Sequence, residues 1–278
     1  MTPKTLLTVI GADQPLQRLT RPIELASANN CHLSVAVIGI AIAASTTAYG
    51  AIPADTWAEE REAGKKATTE QGERVEAMLA KSSVSGDVCS YYCDEGQIAT
   101  VVGDRARYSD LGLAMPASGL DQRLAGKALE GFIYHSARPF LLMPAEAKVT
   151  LSPSTVMIAW NATKEAARAV HLSLDTLTRT NRVHVTMVDP VAGEFDQGEE
   201  PGNDIASYLA RYGIDVRVDR LPSAGTAVSE VLLRHANDIS AELIVAGAYG
   251  HSRLREFLFG GITRDLVAND RFPIIMAH

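Results

Sequence analysis

Short apolar runs alternate with amphipathic stretches along most of the chain. The apolar runs have the length and composition of strands that helices bury on both faces. Between them, apolar residues recur every three or four positions, which predicts helices. The predicted strands are residues 6–10, 32–40, 88–92, 111–115, 140–143, 156–160, 182–188, 214–221, 243–246 and 274–277. The predicted helices are residues 16–28, 55–80, 98–107, 124–135, 164–177, 204–211, 227–236 and 262–268.

The order of these elements repeats in the second half of the chain. The segment 144–153 predicts a linker, and residues 137–143 (ARPFLLM) parallel residues 271–276 (RFPIIM), which indicates a duplicated domain. Alternating strands and helices pair in parallel through right-handed crossovers. The sequence therefore predicts an α/β protein with two tandem doubly wound parallel five-stranded sheets, in domains 1–145 and 152–278. We expect the two closing strands to pair with each other, because an unpaired apolar edge strand invites aggregation.

Composition narrows the classes of partner. The chain has 278 residues, a formal net charge of −7 and 46% hydrophobic residues, and its pI near 5.5 argues against a nucleic-acid partner. Without a long apolar span or a signal-peptide pattern, we expect no membrane segment and a cytoplasmic location. Cys31, Cys89 and Cys93 are too few for a disulfide framework. Cys89 and Cys93 could form half a metal site or a redox pair, but buried thiols acting as small hydrophobes are favoured.

Glycines surround the end of the strand 243–246 and the start of the last predicted helix. Gly247 and Gly250 follow the strand, and Gly260 and Gly261 precede the helix. Glycine lets the backbone approach a ligand closely, and the free amides at a helix N-terminus favour an anion. The loop also concentrates positive charge against the single acid Glu256. The basic residues there are His251, Arg253, Arg255 and Arg264. This strand, glycine loop and helix predict a phosphate-binding element.

The spacing Gly-x2-Gly-x9-Gly followed by a small residue resembles the ATP-binding signature of the universal stress protein family. Gly247, Gly250 and Gly260 carry it, and Gly261 stands where the family usually has Ser or Thr. The resemblance implies a Rossmann-like fold of the adenine nucleotide alpha hydrolase type and an adenine nucleotide in the C-terminal half: ATP, with or without Mg²⁺. The binding residues that it implies are Ala159, Trp160, Asn161, Val188, Gly247, Gly250, His251, Arg253, Gly260, Gly261, Ile262 and Thr263.

Two of the implied positions have a second interpretation. Asn161 stands where the family usually has an Asp facing the adenine or its sugar, and an amide can still make a hydrogen bond there. Alternatively, Asn161 or Thr163 is simply the N-cap of the helix 164–177. In the first half, Met115 and Ser118 stand opposite Gly247 and Gly250. We therefore expect the N-terminal domain to bind no nucleotide and to be structural or partner-facing.

Three functions follow from this pattern. The first is a tandem universal stress protein that binds ATP or a related adenine nucleotide and regulates a stress response. The second is a nucleotide-free universal stress protein that acts as a protein-interaction module, and the third is a slow ATP hydrolase using Arg253 or Arg255. The sequence predicts no catalytic residues and no metal site, because it lacks a P-loop, a Gly-x-Ser-x-Gly elbow and histidines at metal-ligand spacing. We expect two domains that form a pseudo-dimer within the chain and an unidentified protein partner, and leave a homodimer open.

Overall fold

The structure, a computed structural model, describes residues 3–41, 46–47, 50–51, 54–115, 122–191, 200–248 and 261–278. The chain packs as two compact units, an N-terminal unit of Pro3–Arg138 and a C-terminal unit of Pro139–His278. Both are α/β, with parallel strands alternating with helices, so the predicted fold class is confirmed. The sequence-based domain limits, 1–145 and 152–278, stay a prediction.

The N-terminal unit contains a parallel sheet with the strand order β6-β1-β2-β5. Its strands are β1 (Thr5–Gly11), β2 (His32–Ile40), β3 (Thr46–Thr47), β4 (Gly50–Ala51), β5 (Gly86–Cys93) and β6 (Leu111–Ala114). Strands β3 and β4 form a small antiparallel pair of their own, which the sequence pattern does not predict. The helices are α1 (Thr20–Asn29), α2 (Ala54–Lys81), α3 (Ile98–Ala106) and α4 (Gln122–Glu130), and a π-helical turn at Gly131–His135 continues α4.

The C-terminal unit contains a sheet with the strand order β10-β9-β8-β11-β12-β7. Its strands are β7 (Phe140–Leu142), β8 (Thr155–Ala159), β9 (Arg182–Val188), β10 (Val216–Leu221), β11 (Leu243–Gly247) and β12 (Ile274–Ala277). All pairs are parallel except that of β12 with β7, in which Ile275 lies opposite Leu141. The expected pairing of the two closing strands is thereby confirmed. The helices are α5 (Lys164–Leu177), α6 (Asn203–Ala210), α7 (Val228–Asp238) and α8 (Gly261–Val267).

Glycines allow helix α2 to approach the sheet closely. A Cβ at Gly64 would lie 2.6 Å from the ring of Tyr92, and one at Gly72 would lie 2.4 Å from the Oγ of Ser90. Glycine weakens a helix, yet α2 continues through both positions. Both glycines face strand β5, where there is no space for a side chain. Within the described residues, none of the helices combines the length and the apolar character needed to cross a membrane.

Candidate functional site

The strand order of the C-terminal unit reverses between β8 and β11. Strands β9 and β10 follow on one side of β8, whereas β11 and β12 lie on the other. Doubly wound sheets bind ligands in the crevice beyond the carboxyl ends of the strands at such a reversal. Trp160 and Asn161 directly follow β8, and Gly247 ends β11, so these residues flank the reversal point. The structure thus brings Trp160, Asn161 and Gly247 to one edge of the sheet.

The ends of the three strands at this edge open toward the surface. Ala159, Val188 and Gly247 are half-buried, whereas the residues before them in β8, β9 and β11 are buried. The backbone N–H of Trp160 donates to the carbonyl of Thr186 at 2.9 Å, which continues the pairing of β8 with β9 past the end of β8. A planar ligand at this edge would therefore meet strand-end backbone.

Asn161 and Thr163 form a small capping arrangement at the start of α5. Thr163 is the N-cap, and its Oγ1 accepts a hydrogen bond from the N–H of Ala166 at 3.3 Å. The Oδ1 of Asn161 accepts a hydrogen bond from the Thr163 hydroxyl at 2.8 Å. The capping interpretation is therefore confirmed for Thr163. Asn161 is exposed, so its amide can still reach a ligand while it steadies the cap.

Gly247 has a structural reason to be glycine besides any ligand. A Cβ at this position would lie 2.6 Å from the backbone nitrogen of Ala166 and 2.8 Å from the carbonyl carbon of Glu165. These atoms are backbone in the first turn of α5 and cannot move aside as a flexible side chain would. The close packing of β11 against α5 therefore requires glycine here.

The far end of the predicted loop is described from Gly261 onward. Helix α8 begins at Gly261, where a Cβ would meet none of the described atoms within 4 Å. The described residues therefore leave space there for the Ser or Thr that the family usually has. Ile262 is 44% exposed, whereas Thr263 is 7% exposed and buried against the unit. Gly250, His251, Arg253 and Gly260 lie outside the described residues, and their role in binding stays a prediction.

The N-terminal unit carries a cavity of about 340 Å³ at the carboxyl ends of β1, β2 and β5. Asp13 and Gln14 follow β1, Gly39 is near the end of β2, and Tyr92 is near the end of β5. Thr68 of α2 lines the same space. This volume falls in the range of about 300–1,000 Å³ that is typical of small-molecule pockets. The sequence does not predict it, because the loop after β6 has Met115 and Ser118 in place of the two early signature glycines.

A buried polar cluster in the C-terminal unit joins β9, β10 and α7. The Nδ1 of His184 lies 2.6 Å from the Oδ2 of Asp219, and the Nε2 of His235 lies 2.9 Å from the same oxygen. Burial raises the pKa of Asp219, but the hydrogen bonds with His184 and His235 outweigh it, and the pKa lies below its ordinary value. Chain spacing does not reveal the cluster, because Asp219 is 35 residues from His184 and 16 from His235.

The cysteines are all free thiols in the structure. Cys89 and Cys93 lie on β5 with three residues between them, which places their Cα atoms about 13 Å apart in an extended strand. A disulfide needs Cα atoms within about 7 Å. The two residues therefore cannot form a disulfide with each other in this fold. Cys31 is buried, whereas Cys89 and Cys93 are only half-buried, so the expectation of buried thiols is wrong for these two. Partial burial raises the pKa of the Cys31 and Cys93 thiols.

Known proteins resemble this chain in part of its sequence and in its fold. No family model matches the chain. The stress response protein NhaX of Bacillus subtilis is 35% identical over 92 residues, which cover 33% of this chain and 53% of that protein. The match thus spans about half the length of that curated relative.

Solved structures match over nearly the whole chain. A universal stress protein from Archaeoglobus fulgidus has a TM-score of 0.67 at 16% identity, covering 98% of this chain and 95% of that one. A candidate universal stress protein from Pseudomonas aeruginosa has a TM-score of 0.58 at 13% identity, covering 99% and 93%. Two further structures, a universal stress protein with cAMP and one from Arabidopsis thaliana with AMP bound, match 46% and 45% of this chain at TM-scores of 0.36 and 0.33. The two structures that match over nearly the whole chain, together with NhaX, confirm the resemblance to the universal stress protein family, and the chain has the fold of that family.

Proposed function

We propose that this chain is a tandem universal stress protein that binds an adenine nucleotide in its C-terminal unit and regulates a stress response. The proposal rests on one observation: the strand-order reversal and the start of the glycine signature coincide at the end of β11. The strand order reverses between β8 and β11, and the glycine signature of the sequence begins at the end of β11 with Gly247. A ligand crevice is expected at that edge of a doubly wound sheet.

The two sides of the edge suit the two parts of a nucleotide. Ala159, Trp160, Asn161 and Val188 offer strand-end backbone and one side-chain amide, which suits a base and a sugar. The signature glycines, with His251 and Arg253, offer backbone amides and positive charge, which suit phosphates. ATP, with or without Mg²⁺, has a base and a sugar for the first side and phosphates for the second. A nucleotide that binds only the folded protein also stabilises it, by about 2.7 kcal/mol at a free concentration of 100 Kd.

The test is a calorimetric titration of the whole protein with ATP, with and without magnesium. We expect saturable binding at one site per chain, lost in Gly250→Val and retained in the matched control Gly96→Val, where a Cβ has open space. Loss of ATP binding in both variants would mean that the loss is a general effect of replacing glycine by valine and is not specific to Gly250. An absence of binding by the folded wild-type protein would refute the proposal and favour the nucleotide-free interaction module.

The N-terminal cavity supports a second candidate, a small-molecule site in the N-terminal unit. Its lining combines the Tyr92 ring with the polar side chains of Asp13, Gln14 and Thr68, a combination of apolar wall and few polar groups that ligand pockets share. In the same titration this site would appear as a second equivalent that survives Gly250→Val. It should disappear in Ala67→Phe, which places a ring in the cavity from an exposed position on α2.

A further inference from the structure

Three ionisable side chains of the C-terminal unit converge in its interior. His184 lies within β9, Asp219 within β10 and His235 on α7, and their nearest nitrogen and oxygen atoms all lie within 4.8 Å of one another. The side chains of His184 and Asp219 are 5% and 9% exposed, and that of His235 is 16% exposed. Burying such groups is costly unless they bind each other or a ligand.

The interior of β9 shows how unusual this cluster is locally. Val183 and Val185, on either side of His184, are fully buried apolar residues. A third apolar residue at position 184, facing another at 219, would extend the core without any cost of desolvating polar groups. The chain instead brings two imidazoles and a carboxylate from three elements to one point. Such a convergence of buried ionisable groups marks a candidate binding site.

The atoms that meet are three ligands of the kinds that bind a transition-metal cation. Both imidazole nitrogens point to one carboxylate oxygen, Oδ2 of Asp219. The Nε of Arg217 lies 3.1 Å from the other oxygen, Oδ1, and so holds the carboxylate in place from the solvent side. Two imidazoles and one carboxylate suit Zn²⁺ better than Mg²⁺ or Ca²⁺, which prefer oxygen ligands alone. Carboxylates that bind metals are commonly steadied by an outer partner of this kind.

We propose that His184, Asp219 and His235 form a binding site for a divalent cation of the zinc class. Zinc lies about 2.0–2.2 Å from nitrogen and oxygen ligands, which sets neighbouring ligand atoms about 3.4 Å apart in a tetrahedron. The present separations are 2.6 and 2.9 Å, so these two distances need to widen by about 0.8 and about 0.5 Å to reach the tetrahedral value. The partial exposure of His235 leaves a path from solvent and room for water as the fourth ligand.

The site is independent of the proposed nucleotide function. It uses the interior of β9 and β10 and helix α7, whereas the nucleotide edge uses the carboxyl ends of β8, β9 and β11. The experiment therefore contains no nucleotide. Full-length protein is stripped with a chelator, equilibrated with Zn²⁺ alone, and passed into metal-free buffer, and the retained zinc is measured by mass spectrometry. In parallel, Co²⁺ replaces zinc, because a tetrahedral cobalt site absorbs strongly in the visible region.

We expect one retained zinc per chain in the wild-type protein and intense visible bands with Co²⁺. Asp219→Asn and His235→Gln should each weaken binding by at least tenfold, since loss of even an outer-shell partner costs about 10–100-fold. The matched control is His171→Gln, which removes an exposed histidine on α5 of the same unit and should leave binding unchanged. Circular dichroism checks that each variant is folded. If Asp219→Asn does not fold, His235→Gln alone tests the metal site.

Three results would overturn the proposal. If the wild-type protein retains no zinc, the cluster is a hydrogen-bonded network and nothing more. If His235→Gln retains as much zinc as the wild type, or if His171→Gln loses it, the cation binds elsewhere on the chain.

Discussion

At the scale of single residues, the N-terminal unit holds a charged cluster around Asp87. The Oδ1 of Asp87 lies 2.8 Å from the Nε2 of His32, its Oδ2 accepts a hydrogen bond from Arg105, and Arg105 also donates to the Oγ of Ser34 at 3.0 Å. Burial raises the pKa of Asp87, but His32, Arg105 and Ser34 together outweigh it and lower the pKa below the ordinary value of 3.8. The folded protein therefore favours the charged carboxylate.

This cluster should make part of the stability depend on acid pH. Because the folded pKa is lowered, the stabilisation is present above the ordinary value and is lost as the pH falls through the folded pKa. Asp87→Asn should therefore destabilise the protein near neutral pH, and the difference from wild type should shrink in strong acid. Since the side chain is 39% exposed, solvent screening keeps the effect at about 1 kcal/mol or less.

The measurement is urea unfolding of both proteins at neutral pH and at a pH below 3.8. Asp104→Asn, on the exposed face of α3, controls for the loss of one negative charge. A difference between wild type and Asp87→Asn that stays the same at both pH values would contradict the expected coupling.

At this scale, local contacts could be predicted from the sequence and distant ones could not. The N-cap at Thr163 follows from its place just before an amphipathic helix, and the structure confirms it. The meeting of His184 with Asp219 depends instead on the register of β9 against β10, in which His184 lies opposite Arg217. A shift of one residue would turn Asp219 to the other face of the sheet. Sequence spacing carries no information on that register.

At the scale of elements, two helical segments of the N-terminal unit cross in unusually close contact. A Cβ at Gly131, at the start of the π-helical turn, would lie 2.5 Å from the carbonyl oxygen of Ala99 on α3. On the other side, a Cβ at Gly103 of α3 would lie 2.1 Å from the Cβ of His135. Each glycine makes room for the backbone of the other segment. In the sequence, the same glycines indicate only weak helix propensity.

Gly131→Ala should therefore destabilise the protein by about 1–3 kcal/mol, the usual cost of overpacking. Gly126→Ala is the matched control, because Gly126 is inside α4 and a Cβ there meets nothing within 4 Å among the residues that the structure describes. The control should instead stabilise the protein by about 0.5–1 kcal/mol, through the better helix propensity of alanine. Denaturant unfolding measures both. Equal effects of the two substitutions would show that α3 can move away at little cost.

At the scale of the whole molecule, the alternation of strands and helices was sufficient to predict the fold class. Strands β1, β2, β8 and β11 are largely buried and apolar, so each could be identified from its own residues. The sequence did not predict in the same way which strands belong to the same compact unit. The strand at 140–142 closes the first repeat in sequence, yet it lies in the compact unit Pro139–His278, paired with β12. An apolar sequence is expected for this strand in either unit, so the hydrophobic pattern alone does not show to which unit the strand belongs.

This grouping leads to a prediction about where the chain can be cut. A fragment of residues 139–278 keeps β7, whereas a fragment of residues 152–278, cut at the sequence-based limit, leaves the edge of β12 beside β7 unpaired. Phe140, Leu141 and Leu142 are 0–3% exposed, and full burial of such side chains contributes about 1.5–3 kcal/mol each. The longer fragment should therefore be more stable by at least about 3 kcal/mol, since part of that burial depends on the rest of the chain.

Urea unfolding followed by circular dichroism compares the two fragments at equal concentration, and light scattering reports their association. The shorter fragment should also associate more, because the bare edge of an apolar strand pairs with other chains. A third fragment, residues 139–278 with Phe140→Ser and Leu142→Ser, keeps the length but removes the apolar contacts, and it should unfold like the shorter one. If all three unfold at the same urea concentration, strand β7 contributes nothing to the C-terminal unit, and the boundary belongs at the linker that the sequence predicts.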